Sequence, residues 1–365
     1  MGIQSRVVGT DCGTMFFQVA ETGKDNNINI KTTRNAFVEL SESDDIEDVL
    51  KQNKWQYVRD CNKYYVIGED SLRVAKMFPG KVELRRPLQD GVLNKGEDKK
   101  MLILAELIES SIGRALDDKS LVCFCVSSPS VDGSADSTFH KARLTGMFTR
   151  LGWHTKVIEE GMAVILSERP VIKEKDGSES PYSGLALSFG AGRVNCVLAY
   201  KGLQIIGFSV SRSGDWIDKK VSEQTDIPLA QVTSKKEKEL NFDKIDYDDD
   251  VIFALNAYYN SMIEFVFNHF SKKFAEVKSQ FDAPVNIVVA GGSSLSKGFH
   301  HKVEEVIRGL ELPFEVGSVV RAKDPVNSVV LGCLMQATVS QRKLVKDQEN
   351  SSGQVADLSD VLGEK

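Results

Sequence analysis

No run in the 365-residue chain approaches the length of a membrane-spanning helix, and no charged leader with an apolar core opens it, so neither a bilayer span nor export is expected. The start Met1-Gly2-Ile3-Gln4-Ser5-Arg6 carries Arg where a myristoylation signal needs Ser or Thr, so a lipid anchor is not expected. Repeated CxxC and Cys/His spacings are missing too. The six cysteines (Cys12, Cys61, Cys123, Cys125, Cys196 and Cys333) are scattered, several of them inside apolar strand-like runs. They are expected to be reduced, buried thiols of a cytoplasmic protein. A surplus of positive charge is also lacking. With 46 Lys and Arg against 52 Asp and Glu, the net charge is -6, which argues against nucleic acid as a partner because phosphate neutralisation needs concentrated Lys and Arg.

What is present is enough chain for two lobes with sizeable cores. Extended runs at 6–9 and 16–19 are followed by helical spacing at 101–116, a strand at 121–127, a helix near 139–151 and a strand at 155–158. A polar loop ends near Pro181, and a second strand set follows at 185–187, 194–200 and 203–210. The alternation predicts α/β layers. The two strand–turn–strand openings, at 7–19 and 185–200, suggest an internal duplication. Residues 219–282 are charged and helix-favouring, which predicts a mostly helical insertion, and the polar run after Gln341 is expected to be loosely ordered.

Three turns carry chemistry. The first, Gly9-Thr10-Asp11-Cys12-Gly13-Thr14, follows an apolar strand. Glycine there lets backbone N–H groups approach a phosphate, and a strand-end carboxylate can hold Mg²⁺ through its water shell. A plain hairpin turn accounts for the same residues. The second, Ser188-Phe189-Gly190-Ala191-Gly192-Arg193-Val194-Asn195, repeats the layout in the other half; two such turns can grip one phosphate chain from opposite sides. The third, 287–294, ends a buried strand in Gly291-Gly292-Ser293 and continues to Gly298 before a helix. It offers space for a flat ring and a helix dipole near phosphate, or else serves as a packing turn.

In this order the three turns resemble the phosphate-1, phosphate-2 and adenosine motifs of the actin-like ATPase superfamily. Ile67-Gly68-Glu69-Asp70 with the 86–93 segment RPLQDGVL looks like the "GEDA…RPLxDGV" stretch of the bacterial MreB and MamK actins. The 158–163 segment IEEGMA, the 213–218 segment SGDWID and Lys235-Lys236-Glu237-Lys238 are similar to further motifs of those families. Together they cover the chain from Val7 to about Ala337. The resemblance implies a two-lobed actin-like fold, a duplicated ribonuclease-H-like α/β architecture with a nucleotide cleft between the lobes. Lobe I would be residues 1–150, with a small insertion at about 32–78. Lobe II would be 151–340, with the helical insertion at 219–282, and 341–365 would form a tail.

The resemblance also implies roles. Glu160 matches the residue that orients the attacking water and Asp11 the metal-linked carboxylate; such a site needs mainly positioning and charge neutralisation. Gly13, Thr14, Gly190, Gly192, Arg193, Gly214, Gly291, Gly292 and Ser293 match the nucleotide-binding turns, and Lys236 and Glu237 the pair at the nucleoside. For 235–239 a solvated helix face stays open. Ser188 departs from the pattern, because the families carry Asp there to help hold Mg²⁺. Arg193 also departs, replacing a small residue; it either neutralises phosphate or points to solvent. The expected ligands are ATP, its product ADP, and Mg²⁺. The expected partner is the protein itself, in a head-to-tail filament, with cargo or adaptor proteins beyond. Two alternatives stand: a nucleotide-dependent scaffold that does not hydrolyse, suggested by Ser188, and a small-molecule kinase of the same fold, for which no sugar-binding constellation is visible.

Overall fold

Apolar runs bounded by polar turns become the strands of two five-stranded sheets. In the computed structural model, residues 5–23, 25–42, 46–93, 98–134, 137–168, 172–173, 179–180, 182–277 and 284–362 are described. The chain opens with β1 (Val7–Cys12), β2 (Phe16–Thr22) and β3 (Ile28–Arg34), a meander of antiparallel pairs. A small module follows: β4 (Phe37–Ser41), α1 (Ile46–Gln52), β5 (Tyr57–Asp60), β6 (Lys63–Ile67) and α2 (Glu69–Met77), its strands paired in the order β4-β6-β5. The chain then returns through α3 (Asp98–Ile112), β7 (Leu121–Val126), α4 (Ser137–Arg150) and β8 (His154–Glu159). The lobe I sheet runs β3-β2-β1-β7-β8, with β1–β7 and β7–β8 parallel. Every residue of β7 is buried, as a central parallel strand covered on both faces requires.

Lobe II repeats this plan. After α5 (Glu160–Glu168) and the short pair β9 (Ile172–Lys173) and β10 (Glu179–Ser180) come β11 (Gly184–Phe189), β12 (Val194–Tyr200) and β13 (Leu203–Val210). Three helices follow, α6 (Gly214–Thr225), α7 (Leu229–Lys238) and α8 (Asp250–Val277), and then β14 (Val285–Ala290), α9 (Phe299–Arg308), β15 (Val316–Arg321) and α10 (Ser328–Leu362). The sheet order β13-β12-β11-β14-β15 has the same pattern of parallel and antiparallel pairs as lobe I. Asp249 caps α8 by accepting the N–H groups of Val251 and Ile252, both at 3.0 Å. The apolar stripe Leu255, Tyr259, Met262, Val266, Phe270 and Phe274 fixes that helix to the lobe II core.

Between the two sheets lie α5 and α10, in a layer of small residues that includes Cys123, Cys125, Ala163, Ala186, Ala290 and Cys333. The helices approach so closely that a Cβ on Gly332 would overlap the backbone of Ala163. Only glycine allows that approach.

Three sequence expectations change. Lobe I does not end at 150, because β8 pairs with β7 along its whole length, so the boundary falls at the start of α5. The run after Gln341 is helical, not loose: α10 continues to Leu362, with Leu344 packed on the inter-sheet layer and Gln348 Nε2 donating to the Asp118 carbonyl at 3.3 Å. Cys61 is exposed, on the β5–β6 turn at a positive φ of 51°, while the other five thiols are buried and all six are free.

Candidate functional site

The first turn hangs between β1 and β2, where the antiparallel register brings Cys12 opposite Phe17. Asn35, fully buried, holds it from behind: its Nδ2 donates to the Gly13 carbonyl at 2.9 Å and its backbone N–H to the Met15 carbonyl at 2.9 Å. The second turn closes between β11 and β12 through the Gly190 N–H and the Arg193 carbonyl at 2.9 Å. The start of α6 braces it, with the Gly214 N–H donating to Gly190 O at 3.1 Å and Asp215 N–H to Ala191 O at 2.8 Å. The third turn ends β14. Gly291 N–H donates to Pro325 O at 2.8 Å, and Ser293 Oγ reaches Gly190 O at 3.1 Å, so the second and third turns support one another.

All three turns line one cavity of about 380 Å³, a volume ordinary for a small-molecule site. The lobes meet in it. A Cβ on Gly192 would run into Thr14 Oγ1 and the Gly91 nitrogen of lobe I, so glycine is what lets the second turn reach the first.

Two carboxylates, both half-buried, face this space: Asp11 at the end of β1, and Glu160 as the first residue of α5. Ser127 Oγ donates to Glu160 Oε1 at 3.2 Å and Ser188 Oγ to Oε2 at 3.5 Å, while the Cys125 thiol donates to Asp11 Oδ1 at 3.4 Å. Burial pushes the Glu160 acid far up from its ordinary range, and the Asp11 charge pushes it further. Burial raises Asp11 as well, against the pull of the Cys125 hydrogen bond. Two acids that resist ionisation side by side are the condition in which a bound cation, or a proton, stabilises the site most.

The sequence matches the Volactin family over residues 7–337. The chain belongs to the Volactin family. No curated protein sequence matches it. Among solved structures, this Volactin-family chain is similar to a MamK double helical filament at 17% identity and a TM-score of 0.62, covering 91% of this chain and 98% of that one. It is similar to MreB5 of Spiroplasma citri bound to AMPPNP at 12% identity and a TM-score of 0.65, covering 96% and 100%. The ADP-bound form of MreB5 matches at 13% identity and a TM-score of 0.63, covering 92% and 97%. The fold is therefore the two-lobed actin-like one.

Of the residues singled out in the sequence, Asp11, Gly13, Thr14, Glu160, Ser188, Gly190, Gly192, Arg193, Lys236, Glu237, Gly291, Gly292 and Ser293 line the cavity of this Volactin-family protein. Gly214 does not. Its N–H braces the second turn, and its carbonyl accepts from Lys236 Nζ at 3.2 Å. Lys236 is no solvated helix cation: it forms a buried ion pair with Asp218 at 2.8 Å, joining α7 to α6. Arg193 does not face solvent. It is buried, with Nε donating to the Asp90 carbonyl at 2.5 Å and Nη1 to Ser209 Oγ at 2.9 Å. Sequence reasoning missed Gln18, Asp215 and Tyr259 in the lining. Gln18, a buried amide between apolar strand neighbours, was the visible signal. Its Nε2 donates to Asn327 Oδ1 at 2.8 Å, joining lobe I to the start of α10.

The donor set fits a hydrated Mg²⁺: Asp11, Glu160 and the Ser188 hydroxyl are hard oxygen groups suited to that cation's water shell. Asp11 would hold it, with Ser188 as a neutral second contact. Bound there, the ion would neutralise phosphate charge.

Proposed function

We propose that this Volactin-family protein binds ATP with Mg²⁺ between its lobes, hydrolyses it slowly to ADP and phosphate, and assembles into head-to-tail filaments that organise the cell interior. The observation that carries the reading is the convergence of three glycine turns from both lobes on one cavity with Asp11 and Glu160 inside it. Backbone N–H groups of the first and second turns face a phosphate chain from two sides, and the third turn with Lys236 and Glu237 leaves room for the nucleoside. Glu160, in its ionised form, is placed to accept a hydrogen bond from a water and align it for in-line attack. A ligand that touches both lobes stabilises their closed arrangement, and a closed subunit presents one fixed pair of end surfaces; a heterologous contact that does not close on itself then propagates into a strand.

MamK as a filament and MreB5 with AMPPNP and with ADP support this reading by fold. No described helix is long and apolar enough to cross a membrane. Because Ser188 supplies no negative charge, a second reading has a specific observation behind it: a filament gated by nucleotide binding alone, with turnover negligible.

Thermal-shift titration tests the binding step. ATP with Mg²⁺ should raise the melting temperature of wild type, and Asp11→Ala should lose more affinity for Mg²⁺-ATP than for ATP in EDTA, since its role is to hold the hydrated cation. Equal losses in both conditions would reduce Asp11 to a turn-shaping residue, and no shift in wild type would end the nucleotide reading.

A further inference from the structure

One hairpin outside the three turns ties lobe I to lobe II. Gln89 and Val92 exchange two backbone hydrogen bonds at 3.0 Å around Asp90 and Gly91, which have φ values of 49° and 74°. Positive φ at both central residues is the type I′ turn favoured by Asp-Gly, and it gives the tip a single shape. The base is anchored in lobe I. Phe37 and Arg85 exchange backbone hydrogen bonds at 2.8 Å, and Leu93 N–H donates to the buried His140 Nδ1 at 3.3 Å.

The hairpin meets lobe II at two points. Arg86 Nη1 pairs with Asp215 Oδ2 at 2.6 Å, and the Asp90 carbonyl at the tip receives Arg193 Nε. Asp215 is the second residue of α6, and its N–H holds Ala191 O of the second turn. The ion pair therefore pulls on the backbone that lines the cavity. Both of its side chains keep about a third of their surface exposed, 34% for Arg86 and 39% for Asp215, and the Lys236 charge still acts on Asp215 when Arg86 leaves, so the contact can open and reclose. Separate cross-lobe bonds remain when it opens: Ser209 with Pro129 and Val131 through backbone, and Ser211 with Asp132.

We propose that the 85–93 hairpin is a latch between the lobes, with the Arg86–Asp215 pair as its catch, and that the catch sets how long a nucleotide stays bound. The second half rests on the nucleotide reading above; the first does not. Cutting the catch opens the cleft more often without unfolding the protein, and a bound nucleotide leaves faster.

The test is a double-mutant cycle with two readouts. The first is release of a fluorescent ADP analogue followed by stopped flow in wild type, Arg86→Gln, Asp215→Asn and the double variant, with Arg86→Lys as the charge-conserving control. Arg86→Gln should release about two- to fivefold faster, the range for a partly exposed ion pair. Asp215→Asn should match it, the double variant should add nothing, and Arg86→Lys should lie near wild type. The second readout is the distance distribution between spin labels on Cys61, the exposed thiol of lobe I, and on a Lys219→Cys variant in α6, recorded without nucleotide. It should be longer or broader in Arg86→Gln than with Arg86 intact. Unchanged release together with an unchanged distribution would overturn the latch, as would single effects that add in the double variant. If wild type binds no nucleotide, the binding reading fails, and the distance distributions alone decide the latch.

Discussion

The Ser188 hydroxyl donates to Glu160 Oε2 at 3.5 Å, so a neutral donor from β11 faces the acid at the head of α5. Both side chains line the cavity with Asp11. The motif resemblance read from the sequence leads one to expect Asp at this point, and Ser188 brings no charge there beside Asp11 and Glu160.

Ser188→Asp should therefore tighten Mg²⁺ and quicken hydrolysis. A third carboxylate gives the cation's water shell another hard oxygen, at the expense of added repulsion toward Asp11, Glu160 and the triphosphate. The gain should be largest at low Mg²⁺. Phosphate release across a Mg²⁺ titration measures it, and a variant no faster than wild type at any Mg²⁺ concentration would show that Ser188 is not a weakened metal position.

Glu160 gives the nucleotide-free protein a distinctive pH dependence. Burial and the Asp11 charge raise its folded-state value, so above the ordinary Glu value of about 4.3 the folded state holds a proton that the unfolded state releases. Its contribution to stability is full below that value and is lost as pH rises through neutrality. His140, pushed down by burial to about 4, acts in the opposite sense below its ordinary value of about 6.5. The clear window thus lies above pH ~6.5. Between there and mildly alkaline pH, wild type should lose melting temperature faster than Glu160→Gln, which has no proton to lose. Parallel melting curves would mean that Glu160 is ionised in the folded protein.

Gly332→Ala tests the layer between the sheets. The added methyl meets the Ala163 backbone, so α10 must shift against α5, at a cost of about 1–3 kcal/mol. Chemical denaturation should show that loss, whereas a loss within about 0.5 kcal/mol, ordinary for surface changes, would mean that the helices slide freely.

Much of the fold was legible because its signals are local. The buried runs of β7 and β11, the glycine turns after β1, β11 and β14, and the order of the turns were all in the sequence. What escaped depends on partners distant in the chain. The solvent-facing alternative for Arg193 stood because nothing near it in sequence reveals that it is buried and that Asp90 and Ser209 accept from its guanidinium. Lys236 lines the cavity as the motif implied, but its ion pair with Asp218 on the preceding helix could not be read from the local sequence. The run after Gln341 is polar in composition, and its helix is set by contacts such as Gln348 with Asp118, 230 residues away.

Sedimentation with parallel phosphate release tests the central claim most directly. Wild type and Glu160→Ala would be spun with Mg²⁺-ATP, with Mg²⁺-ADP and without nucleotide. Wild type should pellet with ATP and far less in the other two conditions, releasing phosphate slowly as the filaments age. Glu160→Ala should bind ATP and pellet as well or better, with phosphate release slowed about a hundredfold, because a water-orienting group acts in the transition state. Pelleting that is the same with ATP, ADP and no nucleotide would contradict nucleotide gating, and equal phosphate release by the two proteins would remove Glu160 from the chemistry.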